Sequence, residues 1–195
     1  MCLIGCKPSG RHIEQHDIFF GIATSPGELV GQMEAFWPDG GKLHLDAWRK
    51  VTRVGDVLIE VKERPVIASA ATVAGSDLEP VPGPGSRYLY FINMGGYEPG
   101  VFEEYHAKLL CVQPDKGGAI KAAKESPFYK QSAQSHIDDQ YGVDIDDLYN
   151  VEDILASDLK DRYLLDFEDI GPDQLQVYPE DTWVIGYTKL SQLIK

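Results

Sequence analysis

Apolar and polar positions change period several times along the first third of the chain, and each change marks an element. Residues 2–6, CLIGC, form a short apolar run of the kind a buried strand makes. A turn-rich stretch, KPSGRHIEQ, follows, and HDIFFGIA (16–23) predicts a second strand rich in Ile and Phe. In SPGELVGQMEAFW, Leu29, Val30, Met33 and Phe36 or Trp37 recur at helical spacing. Ser25, Pro26 and Glu28 mark that helix's start as a capping box, and PDGG (38–41) ends it. KLHLDAWRKV alternates like a half-buried strand, with DVLIEV (56–61) as its expected hairpin partner across a turn near Gly55.

The same order returns further on. RYLYFINM predicts a strand, GGYEPGVFEEY a turn-rich loop, HAKLLCVQ a strand, and Asp115 opens a helix through GGAIKAAKE. A further strand or strand end is expected near SHIDDQYG. At an offset of 90, Gly5 aligns with Gly95, Gly10 with Gly100, Glu14 with Glu104 and His16 with His106. Ser25 meets Asp115 and Gly27 meets Gly117 at the same offset. Past the helix an offset of 92 pairs His44 with His136 and Asp46 with Asp138, so four of the five histidines fall on matched positions. Internal duplication is the reading that follows.

The organisation expected is therefore a first repeat over 1–61, a linker over 62–85, a second repeat over 86–156 and a C-terminal extension over 157–195. The linker is Pro/Gly-rich at its end, where EPVPGPGS breaks strands. In the extension, YLLDFEDI, LQVYPE and TWVIGYTKL read as added strands. The fold class is α+β: two tandem ββαβ(β) repeats related by a pseudo-two-fold axis, with a β-rich extension. Neither half alone buries much surface, so the two are expected to pack as one domain.

Charge narrows the partners. Lys and Arg number 18 against 31 Asp and Glu, a net charge of −13, and residues 131–195 hold 15 acidic and four basic side chains. Such a surface repels nucleic-acid phosphates. A cationic ligand, a metal or a basic protein fits it, as does a plain solvated acidic face. No apolar run approaches the roughly 20 residues that span a bilayer, and no basic stretch precedes an apolar one at the N-terminus. Three cysteines, Cys2, Cys6 and Cys111, have no framework spacing, so reduced thiols in a cytoplasmic protein are expected.

GCKPSGRHIEQHDIFFGIA, the HLDAW segment and FINMGGYEPGVFEEYH together resemble a bacterial family, the domain of unknown function 1543, over roughly residues 2–156. The resemblance implies a small soluble protein and brings no activity, cofactor or catalytic residue with it. It also marks the two E-x-H segments as a hallmark.

The chemistry must come from the residues. In an extended chain Glu14 and His16 point the same way, as do His44 and Asp46. A strand–helix–strand crossover makes their strands parallel, so the four should converge with the 7–13 loop at one end of a sheet. Glu104, His106, His136 and Asp138 should form a matching cluster. Two His with Asp and Glu suit a divalent metal, and carboxylate-oriented imidazoles suit acid–base work. The plainer account makes them loop ties and turn caps that a duplicated fold retains. The leading functional reading is a binding protein that uses the two clusters or the groove between repeats for a small ligand, metal or protein partner. The competing one is a hydrolase or isomerase using Glu14 and His16 for proton transfer, with His44 and Asp46 in support. Arg11, which with His12 is present only in the first segment, is a candidate for holding an anionic group, with a surface ion pair as the plainer account. Cys6 is a candidate thiol nucleophile, with a small buried hydrophobe as the plainer account. GGYEPG (95–100) reads as a turn, and DIDDLYNVED (144–153) as an acidic helix or turn without the spacing of a calcium loop. Tyr88, Tyr90, Tyr97 and Tyr105 read as core and rim packing.

Overall fold

The computed structural model describes residues 1–65, 85–97, 100–131 and 145–194. In chain order the strands are β1 (Cys2–Cys6), β2 (Gln15–Phe19), β3 (His44–Trp48), β4 (Arg53–Val54) and β5 (Val57–Glu63). They continue as β6 (Tyr88–Tyr97), β7 (Glu104–Gln113), β8 (Asp147–Asn150), β9 (Tyr163–Asp169) and β10 (Val184–Lys189). The helices are α1 (Val30–Phe36), α2 (Lys116–Glu125), α3 (Pro127–Gln131), α4 (Val151–Ile154), α5 (Ser157–Arg162) and α6 (Leu190–Leu193). The fold is thus mixed, and β1 with β2 and β3, β3 with β10, β4 with β5, and β6 with β7 and β8 all pair antiparallel. Among the described residues no helix is long and apolar enough to cross a membrane.

The chain divides into two compact units that are not simple consecutive halves. Met1–Ile59, Leu155–Lys160 and Asp169–Lys195 make the first; Glu60–Ile154 and Asp161–Glu168 make the second. Most of the Pro/Gly connector lies outside the described residues.

In the first unit the strand order is β10-β3-β1-β2. β1 runs antiparallel to both β2 and β3, so β2 and β3 are parallel and α1 is their crossover. Cys2, Ile4 and Cys6 on β1 pack with Met33, Leu43 and Leu45, and Leu190 of α6 joins the same core. The start of α1 differs from the expected capping box. The Ser25 hydroxyl caps nothing, because the Glu28 amide already donates to the Ser25 carbonyl at 3.2 Å in a tight 3-10 turn over Pro26–Leu29. Thr24 takes over instead: its amide and hydroxyl both donate to the Glu28 carboxylate, at 2.8–2.9 Å. The hairpin at Gly55 also changes partner. β5 turns back on the two-residue β4, since β3 is already paired on both edges, by β1 and by β10.

The second unit shows the same order of elements. Its sheet reads β7-β6-β8, with β6 antiparallel to both neighbours and α2 between β7 and β8 in sequence. Asp115 caps α2 as expected, accepting from the Gly118 amide at 2.8 Å. The small Ala119 and Ala123 let that helix lie close over Ile92, Met94 and Cys111, and Ile145 and Leu148 join the same core.

Two expected elements turn out differently, and a third lies outside the described residues. Residues 135–142, where the closing strand was expected, lie outside the described residues, and β8 stands at 147–150. The acidic string 144–153 thus holds a strand and the start of α4 rather than a helix or turn alone. Its buried Ile145, Leu148 and Val151 are what the aspartates disguise. LQVYPE is no strand: the 3-10 turn Pro172–Gln174 runs on into turns in which the Val177 and Tyr178 amides donate to the Gln174 carbonyl. The other two segments of the extension are strands, β9 and β10, and β10 extends the first sheet.

Candidate functional site

Gly5 is the floor of the first cluster. It stands near the end of β1, opposite His16 on β2 and His44 on β3 in the two ladders. Both histidines sit at the starts of their strands. Pairing therefore brings them to one end of the sheet, and the period of two adds Glu14 and Asp46. His16 Nε2 lies 3.0 Å from Asp46 Oδ2 and 3.6 Å from Glu14 Oε2. His44 Nε2 lies 3.1 Å from Glu14 Oε1 and 3.4 Å from Asp46 Oδ1. The absence of a side chain at Gly5 is required here. A Cβ there would stand 2.4 Å from His44 Nε2 and 2.7 Å from Asp46 Oδ2.

The four side chains differ in exposure. Glu14 and His16 form an accessible lip at 45% and 43%, Asp46 is at 27%, and His44 is buried at 5%. The Tyr187 ring covers His44, with centroids 4.4 Å apart and planes tilted by 33°. β10 supplies that ring where its ladder with β3 is irregular, between Ile185 and Thr188. Despite the short distances, His44 Nε2 and Asp46 Oδ2 are both fully shielded and make no hydrogen bond. Nearly all buried polar side-chain atoms in proteins find such a partner, whereas these two have only ion-pair contacts, Asp46 Oδ2 with His16 and His44 Nε2 with Glu14 and Asp46 Oδ1.

The second cluster is built on Gly95, opposite His106 in the β6–β7 ladder. His106 Nε2 lies 3.5 Å from Glu104 Oε2 and 3.2 Å from Asp146 Oδ2, and one ligand atom from each of the three lies within 4.8 Å of the others. A Cβ on Gly95 would meet Glu104 Oε1 at 2.4 Å and Asp146 Oδ2 at 2.7 Å. The preceding loops agree as well, since Gly10 and Gly100 take φ of 81° and 83°, the left-handed region that favours glycine.

His136 and Asp138 lie outside the described residues, and the second carboxylate beside His106 is Asp146. The register explains it. Leu3 pairs with Ala47, whereas Asn93, its counterpart at offset 90, pairs with Asp147. The step from Ala47 to Asp147 is 147 − 47 = 100, and the same step leads from Asp46 to Asp146. Sequence reasoning missed Asp146 and Tyr187. A signal for the first was present in Ile145 and Leu148, the apolar pair around it; nothing local marks the second.

Arg11 and His12 are exposed on the loop between β1 and β2. Cys6 is fully buried in the core, and burial, then the charges of Asp39 and Glu14, push its thiol up, so it is no nucleophile. Tyr90 is buried edge-to-face with Tyr88, while Tyr97 and Tyr105 are exposed on the rim.

Fold and site together define a mixed α/β protein of small antiparallel sheets with carboxylate–imidazole corners at strand starts. The family resemblance holds: residues 11–61 match the model of the family described as Domain of Unknown Function (DUF1543). That segment contains Glu14, His16, His44 and Asp46. Among curated proteins none matches the sequence significantly. The crystal structure of a protein Il1583 from Idiomarina loihiensis is similar, with a TM-score of 0.56 at 20% identity. The match covers 97% of this chain and 94% of that one, and it supports the fold.

Proposed function

We propose that this is a binding protein whose corner of Glu14, His16, His44 and Asp46 takes a small cationic ligand. One observation supports this above the others. Two carboxylates meet at a point where shielded His44 Nε2 and Asp46 Oδ2 have no hydrogen-bond partner, beside an exposed lip through which a ligand can enter. Loop ties and turn caps would instead show directed hydrogen bonds from these atoms. The cluster of Glu104, His106 and Asp146 is read as a related corner. Its support is the common strand order of the two units, the paired loop glycines and the two glycine floors, all of which fit descent from one duplicated unit.

Thermal denaturation against a panel tests the reading: Mg2+, Ca2+, Zn2+, putrescine and spermidine. At least one cation should raise the Tm of the parent protein and lose that effect in the E14Q/H16Q variant, whose changes lie on the exposed lip. A panel in which no cation shifts the parent protein contradicts it.

A further inference from the structure

We infer that the ligand of the first corner is a divalent transition-metal ion of the zinc class, held by all four side chains in a closed tetrahedral site. The inference rests on the cation-binding reading above and makes its ligand specific. Geometry comes first. Zinc bonds nitrogen and oxygen ligands at about 2.0–2.2 Å, and the edge of a tetrahedron is about 1.63 times its bond length, so neighbouring donors should stand roughly 3.3–3.6 Å apart. The observed separations between imidazole nitrogens and carboxylate oxygens are 3.0, 3.1, 3.4 and 3.6 Å, His16 facing one oxygen of each acid and His44 the other. Each imidazole nitrogen thus already stands near ligand spacing from one oxygen of both acids.

Donor chemistry comes next. Two imidazoles with two carboxylates form an N2O2 set, whereas calcium takes six to eight oxygens and magnesium keeps an octahedral shell rich in water. The two carboxylates also match the charge of a divalent ion. Third, His44 is held ready: it is more than nine-tenths buried, pinned by Tyr187, and its Nε2 is aimed into the corner without a hydrogen bond. An ion at that point would satisfy His44 Nε2 and Asp46 Oδ2 together. The bare glycine beneath them provides the space their convergence needs.

The test uses the full-length protein stripped with EDTA and dialysed against Co2+, then Zn2+. Cobalt should give the intense visible bands of a tetrahedral complex, and Zn2+ should abolish them by displacement. E14Q and H16Q, both on the exposed lip and expected to fold, should each weaken Zn2+ binding at least ~10-fold by competition titration, the low end of what ligand-shell changes cause. H106Q should leave the first-corner cobalt bands in place. Faint octahedral-type bands would overturn the inference, as would Zn2+ binding unchanged in both E14Q and H16Q, or Mg2+ and Ca2+ binding as tightly as Zn2+. If Zn2+ and Co2+ fail while a polyamine, Ca2+ or Mg2+ still stabilises the parent protein, the ion class is wrong and the cation-binding reading stands. If nothing in the panel stabilises it, both fall.

Discussion

At Gly5 and Gly95 the same substitution should have two different consequences. A Cβ on Gly5 runs into the imidazole of His44, which is buried and packed against the Tyr187 ring. A Cβ on Gly95 meets carboxylate oxygens of Glu104 and Asp146, the far ends of side chains that are 26% and 37% exposed. G5A should therefore destabilise the protein by about 1–3 kcal/mol, the range for overpacking a rigid site. G95A should stay within about 0.5 kcal/mol, helped by the smaller loss of backbone freedom. Urea unfolding of the two variants beside the parent checks this, and equal effects would contradict the difference between the corners. The cysteines supply a second prediction. Burial pushes the Cys111 thiol from its ordinary value near 9 up to about 12. The folded protein thus keeps a proton that the unfolded chain releases above about pH 9. Stability should then fall by about 1.4 kcal/mol per pH unit between about 9 and 12 on account of this group. In C111A the slope of unfolding free energy against pH over 9–11 should be shallower by about one proton, whatever the variant's absolute stability. The residues of the first corner were legible in the sequence because strand alternation and one short crossover are local rules. Asp146 was not, because only the long-range pairing of Asn93 with Asp147 sets its position.

Elements repeat this division between local rule and distant partner. The start of α2 was legible: Asp115 sits where a cap belongs, and nothing competes for the Gly118 amide. The start of α1 was misleading, because Ser25 has the right type and spacing but its carbonyl holds the amide its hydroxyl would need. D115A should therefore cost about 1 kcal/mol, the usual value of a lost N-cap, while S25A should fall within about 0.5 kcal/mol. Thr24 and Glu28 hold the α1 entry instead, and their contacts also draw the Glu28 carboxyl below its ordinary range. Chemical denaturation of the two alanine variants decides the point, and a costly S25A with a neutral D115A would reverse the assignment. β8 was hidden for a related reason. Three aspartates at 144, 146 and 147 give it a polar surface reading, yet Leu148 and Ile145 bury against β6 and α2. Short strands take their stability from neighbours more than from their own composition.

For the molecule as a whole, the chain's end is part of its beginning. TWVIGYTKL reads as an added strand, but its neighbour could not be read, because pairing across more than a hundred residues leaves no local trace. The structure lays β10 along β3, so the strand that presents His44 and Asp46 has neighbours on both sides. The same tail brings Leu190 into the core of the first unit. Its Asp181 carboxylate accepts from the Thr52 amide and hydroxyl and from the Arg53 amide, fixing the turn that follows β3. Deleting residues 171–195 would uncover one edge of β3, empty the Leu190 site and remove the ring over His44. Losing a buried leucine alone costs roughly 2–5 kcal/mol, a large fraction of an ordinary domain's stability. None of the deleted residues belongs to the core of the second unit. Native-state hydrogen exchange should therefore show amides of β1 and β3 losing protection in the truncated protein while those of β6 and β7 keep theirs. Uniform loss in both units would mean that they unfold as a single cooperative body. Retained protection in β1 and β3 would mean that the ββαβ core of the first unit stands without its C-terminal strand, leaving β10 with no task but to hold Tyr187 over the corner.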